Sequence, residues 1–265
     1  YSIVNSVASC AGSYELWREM EKSTSYYQAG RGDTTKMFPT NYAITSATGK
    51  DSVKIWNRDT AELWMAFVGS SNGIVQDNGA GGVGPQVFKD GIVYIATENG
   101  DGVKIIDFLL DGAKNYNTNG LGQWKGNLQQ RNSELGFVVV SSTPALASGA
   151  SEVNAIAVVR DPFGLKDDLG RPAHWWIVSS PSNGGGSLYN PHTNTILDQG
   201  ATSGDSNNLS VSDTGQIWLS WNDSGSYDYF AMVGLVGNNT IFGQTADGWT
   251  PQINYGGGAA KGKEK

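Results

Sequence analysis

One phrase returns along this chain and limits what it can fold into. A short apolar run ends in Ser or Thr, a turn rich in Gly, Asn, Asp and Ser follows, and an alternating segment then closes on a turn-forming or polar residue. Residues 42–57 (YAITSATGKDSVKIWN), 93–107 (VYIATENGDGVKIID), 175–190 (WWIVSSPSNGGGSLYN) and 217–232 (IWLSWNDSGSYDYFAM) all read this way. A fainter copy opens the chain at residues 3–17 (IVNSVASCAGSYELW). A unit that cannot bury its own apolar face must stack on its neighbours, so repetition of this kind specifies an architecture.

The four clear copies end at Asn57, Asp107, Asn190 and Met232, at spacings of 50, 83 and 42 residues. Units of about 40 to 50 residues, each holding several short strands, have the length of propeller blades. The reading is therefore all-β: a β-propeller or propeller-like array of about five short-stranded blades, occupying residues 1–255 as a single domain. A β-sandwich is the alternative, but it gives no reason for the same hairpin to return. The 83-residue interval holds either one blade with an insertion or two blades. Residues 137–142 (FVVVSS) and 153–160 (VNAIAVVR) supply extra strands there, and residues 161–172 (DPFGLKDDLGRP) read as an inserted loop. Within the copies, Val53 and Ile55 share a face that Lys54 does not. Residues 92–96 are almost wholly apolar, as in a strand covered on both sides. Residues 14–23 fit two helical turns or, better, the second strand of the opening copy.

Composition agrees with short strands and tight turns. Among 265 residues there are 36 Gly, nine Trp and eleven Tyr, and only 16% are charged. The net charge of -7 argues against a nucleic-acid partner, which needs clustered Lys and Arg. The one basic run, Lys261, Lys263 and Lys265, lies in residues 256–265, expected to be a flexible Gly/Lys tail. A single cysteine, Cys10, rules out an intrachain disulfide. No apolar stretch is long enough to span a bilayer. The chain opens on Tyr1 and is expected to be a piece of a longer polypeptide, with an extracellular or virion-associated location.

Two stretches resemble the blade repeats of large sensor and adhesin-type propellers, residues 212–220 (SDTGQIWLS) and 89–107 (KDGIVYIATENGDGVKIID). The second also resembles repeats in tail and fibre proteins of marine-type bacteriophages. Their Gly-Val-x-apolar-Ile-Asp-Phe hairpin is matched by Gly102, Val103, Lys104, Ile105, Ile106, Asp107 and Phe108. The resemblance implies a propeller platform within a larger surface or virion protein, and it brings no catalytic residue. Residues 211–218 (VSDTGQIW) are similar to the Asp-box of sialidases, with Val211 in place of its first Ser. That box is a surface turn remote from sialidase chemistry, so it implies fold alone.

Candidate chemistry is sparse. Sialidase-type activity would need three converging arginines, and the six present (Arg18, Arg31, Arg58, Arg131, Arg160 and Arg171) share no context. Glycoside hydrolysis would need two facing carboxylates. Glu98, Asp101, Asp107, Asp213, Asp223 and Asp228 are available, mostly in turn-forming contexts where Asp accepts backbone hydrogen bonds. His174 and His192 have no metal-ligand spacing; His174 reads as a strand-edge residue and His192 as part of a turn. Residues 99–102 and 222–225 could offer oxygens to Ca²⁺, and no other cofactor is indicated. Residues 31–33 spell the integrin-binding tripeptide inside a Gly-rich loop. The aromatics are the candidate binding residues: Trp175, Trp176, Trp218, Trp221 and Tyr227. Adjacent strand residues face opposite ways, so one of each Trp pair could reach a rim and stack on a sugar, or fill the space between blades.

The sequence thus leads to a non-enzymatic structural or recognition domain, binding a protein or glycan partner through rim loops, with oligomerisation open. A carbohydrate-active propeller enzyme is the alternative, and a ligand-sensing receptor propeller a weaker one.

Overall fold

The computed structural model describes residues 2–5, 39, 41–47, 50–68, 72–75, 83–97, 102–146, 153–179, 186–198, 205–212, 216–223, 227–235 and 252–254. These form four antiparallel sheets, each a meander in which strands adjacent in sequence pair with one another. The first holds β1 (Ser2–Asn5), β2 (Asn41–Ala47), β3 (Lys50–Asn57) and β4 (Leu63–Val68). The second holds β5 (Val83–Lys89), β6 (Ile92–Thr97), β7 (Val103–Asp107), β8 (Gly112–Asn117), β9 (Gly120–Trp124) and β10 (Phe137–Ser141). The third holds β11 (Ala155–Arg160), β12 (His174–Ser179), β13 (Gly186–Asn190) and β14 (Thr195–Asp198). The fourth holds β15 (Asp205–Val211), β16 (Gln216–Asp223), β17 (Tyr227–Leu235) and β18 (Gln252–Asn254).

The recurring phrase has one structural meaning. Each copy is the hairpin made by the second and third strands of its sheet: β2–β3, β6–β7, β12–β13 and β16–β17. The first strands β1, β5, β11 and β15 lie beside one another in that order. Consecutive four-stranded meanders arranged around their first strands are the layout of propeller blades, and the protein is an all-β, propeller-like array. Two points that the sequence leaves open take definite form. The start of the opening copy, β1, belongs to the first sheet, where it pairs with β2 as an edge strand; the rest of that copy lies outside the described residues. Of the two readings of the long interval, the structure holds the one without a separate blade at residues 108–141. There β8, β9 and β10 extend the second sheet to six strands, and β11 opens the third.

Burial explains the stacking. Every residue of β6 after Ile92 is buried, so the strand is covered on both faces as its composition requires. Val93 and Ile95 pack with Tyr42, Ile44, Val53, Ile55 and Phe67 of the first sheet. Tyr94 and Ala96 face the other way, among Val103, Tyr116, Ile156, Trp176 and Val178 between the second and third sheets. The first two sheets are further joined where Arg131 Nε donates to the Ala66 carbonyl at 2.7 Å and Asn132 Oδ1 accepts from Val68 N–H at 2.8 Å.

Gly102 and Gly120 are turn positions that admit only glycine. Gly102, before β7, has φ +75°, and a Cβ there would fall on the Tyr116 carbonyl oxygen and within 2.9 Å of Leu146. Gly164 has a similar φ of +81° with nothing within 4 Å. We predict that Gly164→Ala costs about 1 kcal/mol, from backbone strain alone. Gly102→Ala should cost more than about 3 kcal/mol, because overpacking adds to the strain. Urea denaturation of the two variants checks the contrast, and equal costs would show that the β7–β8 contact is not tight.

Candidate functional site

Residues 161–173 connect β11 to β12 and include the 161–172 stretch that the sequence reads as an inserted loop. Asp161 starts it. Its buried carboxylate accepts backbone N–H groups from Phe163 (3.0 Å) and Leu165 (2.7 Å), the Trp175 indole N–H (2.7 Å) and His192 Nε2–H (2.6 Å). Burial alone would raise this carboxyl, but the hydrogen bonds from Trp175, Leu165 and His192 prevail and hold it below the usual carboxylate range. Asp167 repeats the device one turn later, accepting from Leu169 N–H (3.0 Å) and Arg171 N–H (2.9 Å). A bridge between Lys166 and Pro172 closes the loop into a small hairpin.

Two latches fasten this end of the third sheet to the second. Arg171, 4% exposed, sends both terminal nitrogens to Asp107 at 3.0 and 2.6 Å, and its Nε to Asp167 at 2.7 Å. Asp107 ends β7 and also caps its own turn, accepting from Leu109 and Leu110 N–H. The second latch centres on Asp90, in the β5–β6 turn. Arg160 at the end of β11 grips it bidentately at 2.6 and 2.7 Å, and His174 Nε2–H donates to it at 2.9 Å. With that proton on Nε2, His174 Nδ1 accepts from the Tyr94 hydroxyl at 2.8 Å. Burial pushes the His174 imidazole below its ordinary value, against the opposing pull of Asp90. Asp90 sits far below the usual carboxylate range: desolvation acts upward, but hydrogen bonds from His174 and Arg160 outweigh it.

Between the latches, the insertion and the facing sheets lies a cleft of about 460 Å³. Tyr94, Tyr116, Trp176 and Tyr189 line its aromatic side, and Asp107, Lys166, Asp167 and Arg171 its charged side. Trp176 stacks on Tyr189 (centroids 5.2 Å apart, planes 5° apart) and meets Tyr116 edge-on at 5.3 Å. Its indole N–H is buried and finds no hydrogen-bond partner among the described residues.

The aromatic candidates fare differently. Trp175 and Trp176 do face opposite ways, one toward Asp161 and His192 and the other toward Tyr116 and Tyr189. Neither is a rim residue, however. Each is 1% exposed, because β12 is buried along its whole length between neighbouring sheets. Trp218 is half-buried on β16, while the side chains of Trp221 and Tyr227 lie outside the described residues. In the Asp-box-like stretch Ser212 and Gln216 close the turn through N–H to carbonyl (2.9 Å) and N–H to hydroxyl (3.0 Å) bonds; Asp213 and Gly215 are outside the described residues. So are Glu98, Asp101, residues 31–33, the 256–265 tail and the turns of both Ca²⁺ candidates, 98–101 and 224–226. Among the described residues no group of three or more His, Cys, Asp or Glu side chains is placed to hold a metal ion. His192 lies in the turn expected of it, and His174 opens β12 but is buried. Asp90, Asp107, Arg160 and Arg171 were not legible as a set. Their one sequence signal is that the two arginines bracket the interruption of the repeat.

Comparison with protein families and with curated proteins gives no match. Among solved structures, the chain is similar to dihydro-heme d1 dehydrogenase NirN (15% identity, TM-score 0.35) over 72% of this chain and 41% of that one. It is similar to a chain of the mitotic checkpoint complex (12%, 0.28) over 71% and 69%. It is also similar to the extracellular domain of the putative one-component system BT4673 from B. thetaiotaomicron (11%, 0.29) over 73% and 28%. The chain spans less than half of the first and third. Likenesses this distant carry no functional argument, and the propeller-like assignment rests on the sheets themselves.

Two predictions test the latches. Arg171→Leu strands Asp107 and Asp167 and should cost about 3 kcal/mol, and adding Asp107→Asn should recover part of it; chemical denaturation of the single and double variants reads this. For His174, the unfolded chain takes up a proton near pH 6.5 and the native state only at lower pH. Stability should therefore be level above about pH 7 and fall as the pH drops through 6.5 toward the native value. His174→Asn should flatten that segment in melting curves taken from pH 8 to 5.5, and a wild-type curve already flat there would remove His174 from the account.

Proposed function

We propose that this protein is a non-enzymatic recognition domain that takes a glycan chain into the cleft beside the 161–173 insertion. The observation that carries the reading is the preorganised wall: Arg171 and the Asp161 and Asp167 caps fix the loop before any ligand arrives. Rigid loops on a repeated scaffold bind with little ordering cost. Tyr189, the partly exposed ring of the cleft, lies beside charged and amide side chains, a pairing that suits the alternating apolar and hydroxyl faces of sugars. Among described residues no helix is long and apolar enough to cross a membrane. The setting we infer, a surface or virion assembly resembling phage tails and fibres, rests on the likeness of residues 102–108 to fibre repeats. A glycoside hydrolase is less favoured, because two of the three cleft carboxylates, Asp107 and Asp167, are engaged by Arg171 and by backbone N–H groups, which leaves Asp168 without a facing free carboxylate.

A glycan array followed by calorimetry tests this. The wild-type protein should retain a defined subset of glycans. Gly112 lines the cleft, and a Cβ there meets only Leu110 at an ordinary 3.7 Å. Gly112→Leu should weaken binding at least about tenfold with an unchanged melting temperature, as filling a pocket does. Retention of no glycan, or of the same glycans with unchanged affinity after Gly112→Leu, would overturn the proposal; capture of a protein through the same cleft would replace it.

A further inference from the structure

Among the described residues the second sheet carries two strands more than each of the other three, and its last strand is exposed along its middle. In β10, Val138, Val139 and Val140 are 46%, 65% and 51% exposed, so both faces of the strand meet solvent. Among the described residues β10 pairs with β9 alone. Its base is firm: Phe137 packs edge-on against Trp124 at 5.4 Å, and the Lys104 ammonium lies 5.8 Å from the Phe137 ring.

The direction of its backbone groups follows from one bond. Gly136 C=O accepts from Lys125 N–H at 3.2 Å, and Phe137 stands opposite Trp124. Phe137–Trp124 is therefore a non-hydrogen-bonded pair, Val138–Gln123 is hydrogen-bonded, and Val139–Gly122 is again non-hydrogen-bonded. The N–H and C=O of Val139 thus point away from β9, along the open edge. Natural edges of this kind carry Lys, Pro or inward charges that discourage pairing. Here residues 136–151 (GFVVVSSTPALASGAS) hold no charged side chain, in a chain of net charge -7. What blunts the edge is the strand's five-residue length, Pro144 beyond it, and a register shift between Val139 and Ser141 that confines the regular ladder to Phe137–Val139.

We infer that β10 is a self-association edge, and that a second copy of this chain covers it. Two-fold contacts require a surface that complements itself. Antiparallel pairing centred on Val139 does so: Val139 exchanges two backbone hydrogen bonds with its symmetry mate, while Val138 and Val140 each face the other's counterpart. The three-valine run reads alike in both directions, so the ladder is apolar throughout. The neutral segment also brings two acidic chains together where their repulsion is least. The pairing joins two six-stranded sheets into one. A single strand pair is a small interface, so the dimer dissociates in the micromolar range or weaker.

Sedimentation velocity over a concentration series reads the proposal directly. The wild-type chain should pass from monomer to dimer as concentration rises. Val139→Lys places two ammonium groups opposite each other at the two-fold and should weaken association at least about tenfold. Because Val139 is exposed, circular dichroism and melting should be unchanged. In a Cys10→Ser background, Val139→Cys should form an intermolecular disulfide under mild oxidant, since facing Cα atoms in such a pair lie about 5.5 Å apart. A chain monomeric at all concentrations, a dimer indifferent to Val139→Lys, or no cross-link from Val139→Cys would each overturn the proposal. So would occupation of this edge by a different protein with no self-association.

Discussion

A strand that is apolar on both faces has to be covered twice, and β6 is that strand. Val93 and Ile95 commit one side to the first sheet, and Tyr94 and Ala96 commit the other to the third. No two-layer arrangement satisfies such a strand if one outer face is left to water. β12 passes the requirement on. Trp176 and Val178 pack toward the second sheet, while Trp175 and Ile177 on the opposite side are equally buried and β15 runs alongside. The array is what remains when each central hairpin needs a neighbour on each side.

The same contact changes character at its end. Where the second and third sheets run out, the side chains between them become Asp90, Asp107, Arg160, Arg171 and His174. Buried ion pairs of this kind add little net stability over apolar packing, because desolvation offsets their attraction. What they supply is geometry. Arg171 reaches a carboxylate 64 residues earlier in the chain, and the fork of its guanidinium accepts only one placement of the loop that carries it. Asp161 ties the loop's start to Trp175 and His192 in the same way.

The fold was legible to the extent that it is local. The turn chemistry and alternation of the four phrases mark the central hairpin of every sheet, because a hairpin's information lies within about fifteen residues. Outer strands were less legible. β8 and β9 (GAKNYN and GLGQW) are short and Gly-rich, and they join the second sheet only because β7 offers an edge. The site was legible in place but not in content. A break in repetition marked residues 161–172, yet the pairs that build the cleft join residues 64 to 84 positions apart, and nothing in either partner's surroundings announces the other. The aromatic pairs misled for a related reason. Parity separates Trp175 from Trp176 correctly, but it cannot say that both faces of β12 are inside.

The position of the cleft follows from these two facts together. Apolar contact holds the sheets together along their length, and charged latches hold them at the end, so the space between is bounded by elements that belong to different sheets. Its aromatic floor combines Tyr94 and Tyr116 from the second sheet with Trp176 and Tyr189 from the third, and its wall is a loop of the third anchored on the second. Anything seated there touches both sheets, and its fit depends on their spacing. The Trp176 indole N–H sits in this seam as a buried donor without a partner among the described residues, a condition that costs about 1–3 kcal/mol. The seam between the two sheets stands beside the 161–173 connection, which interrupts the repeat.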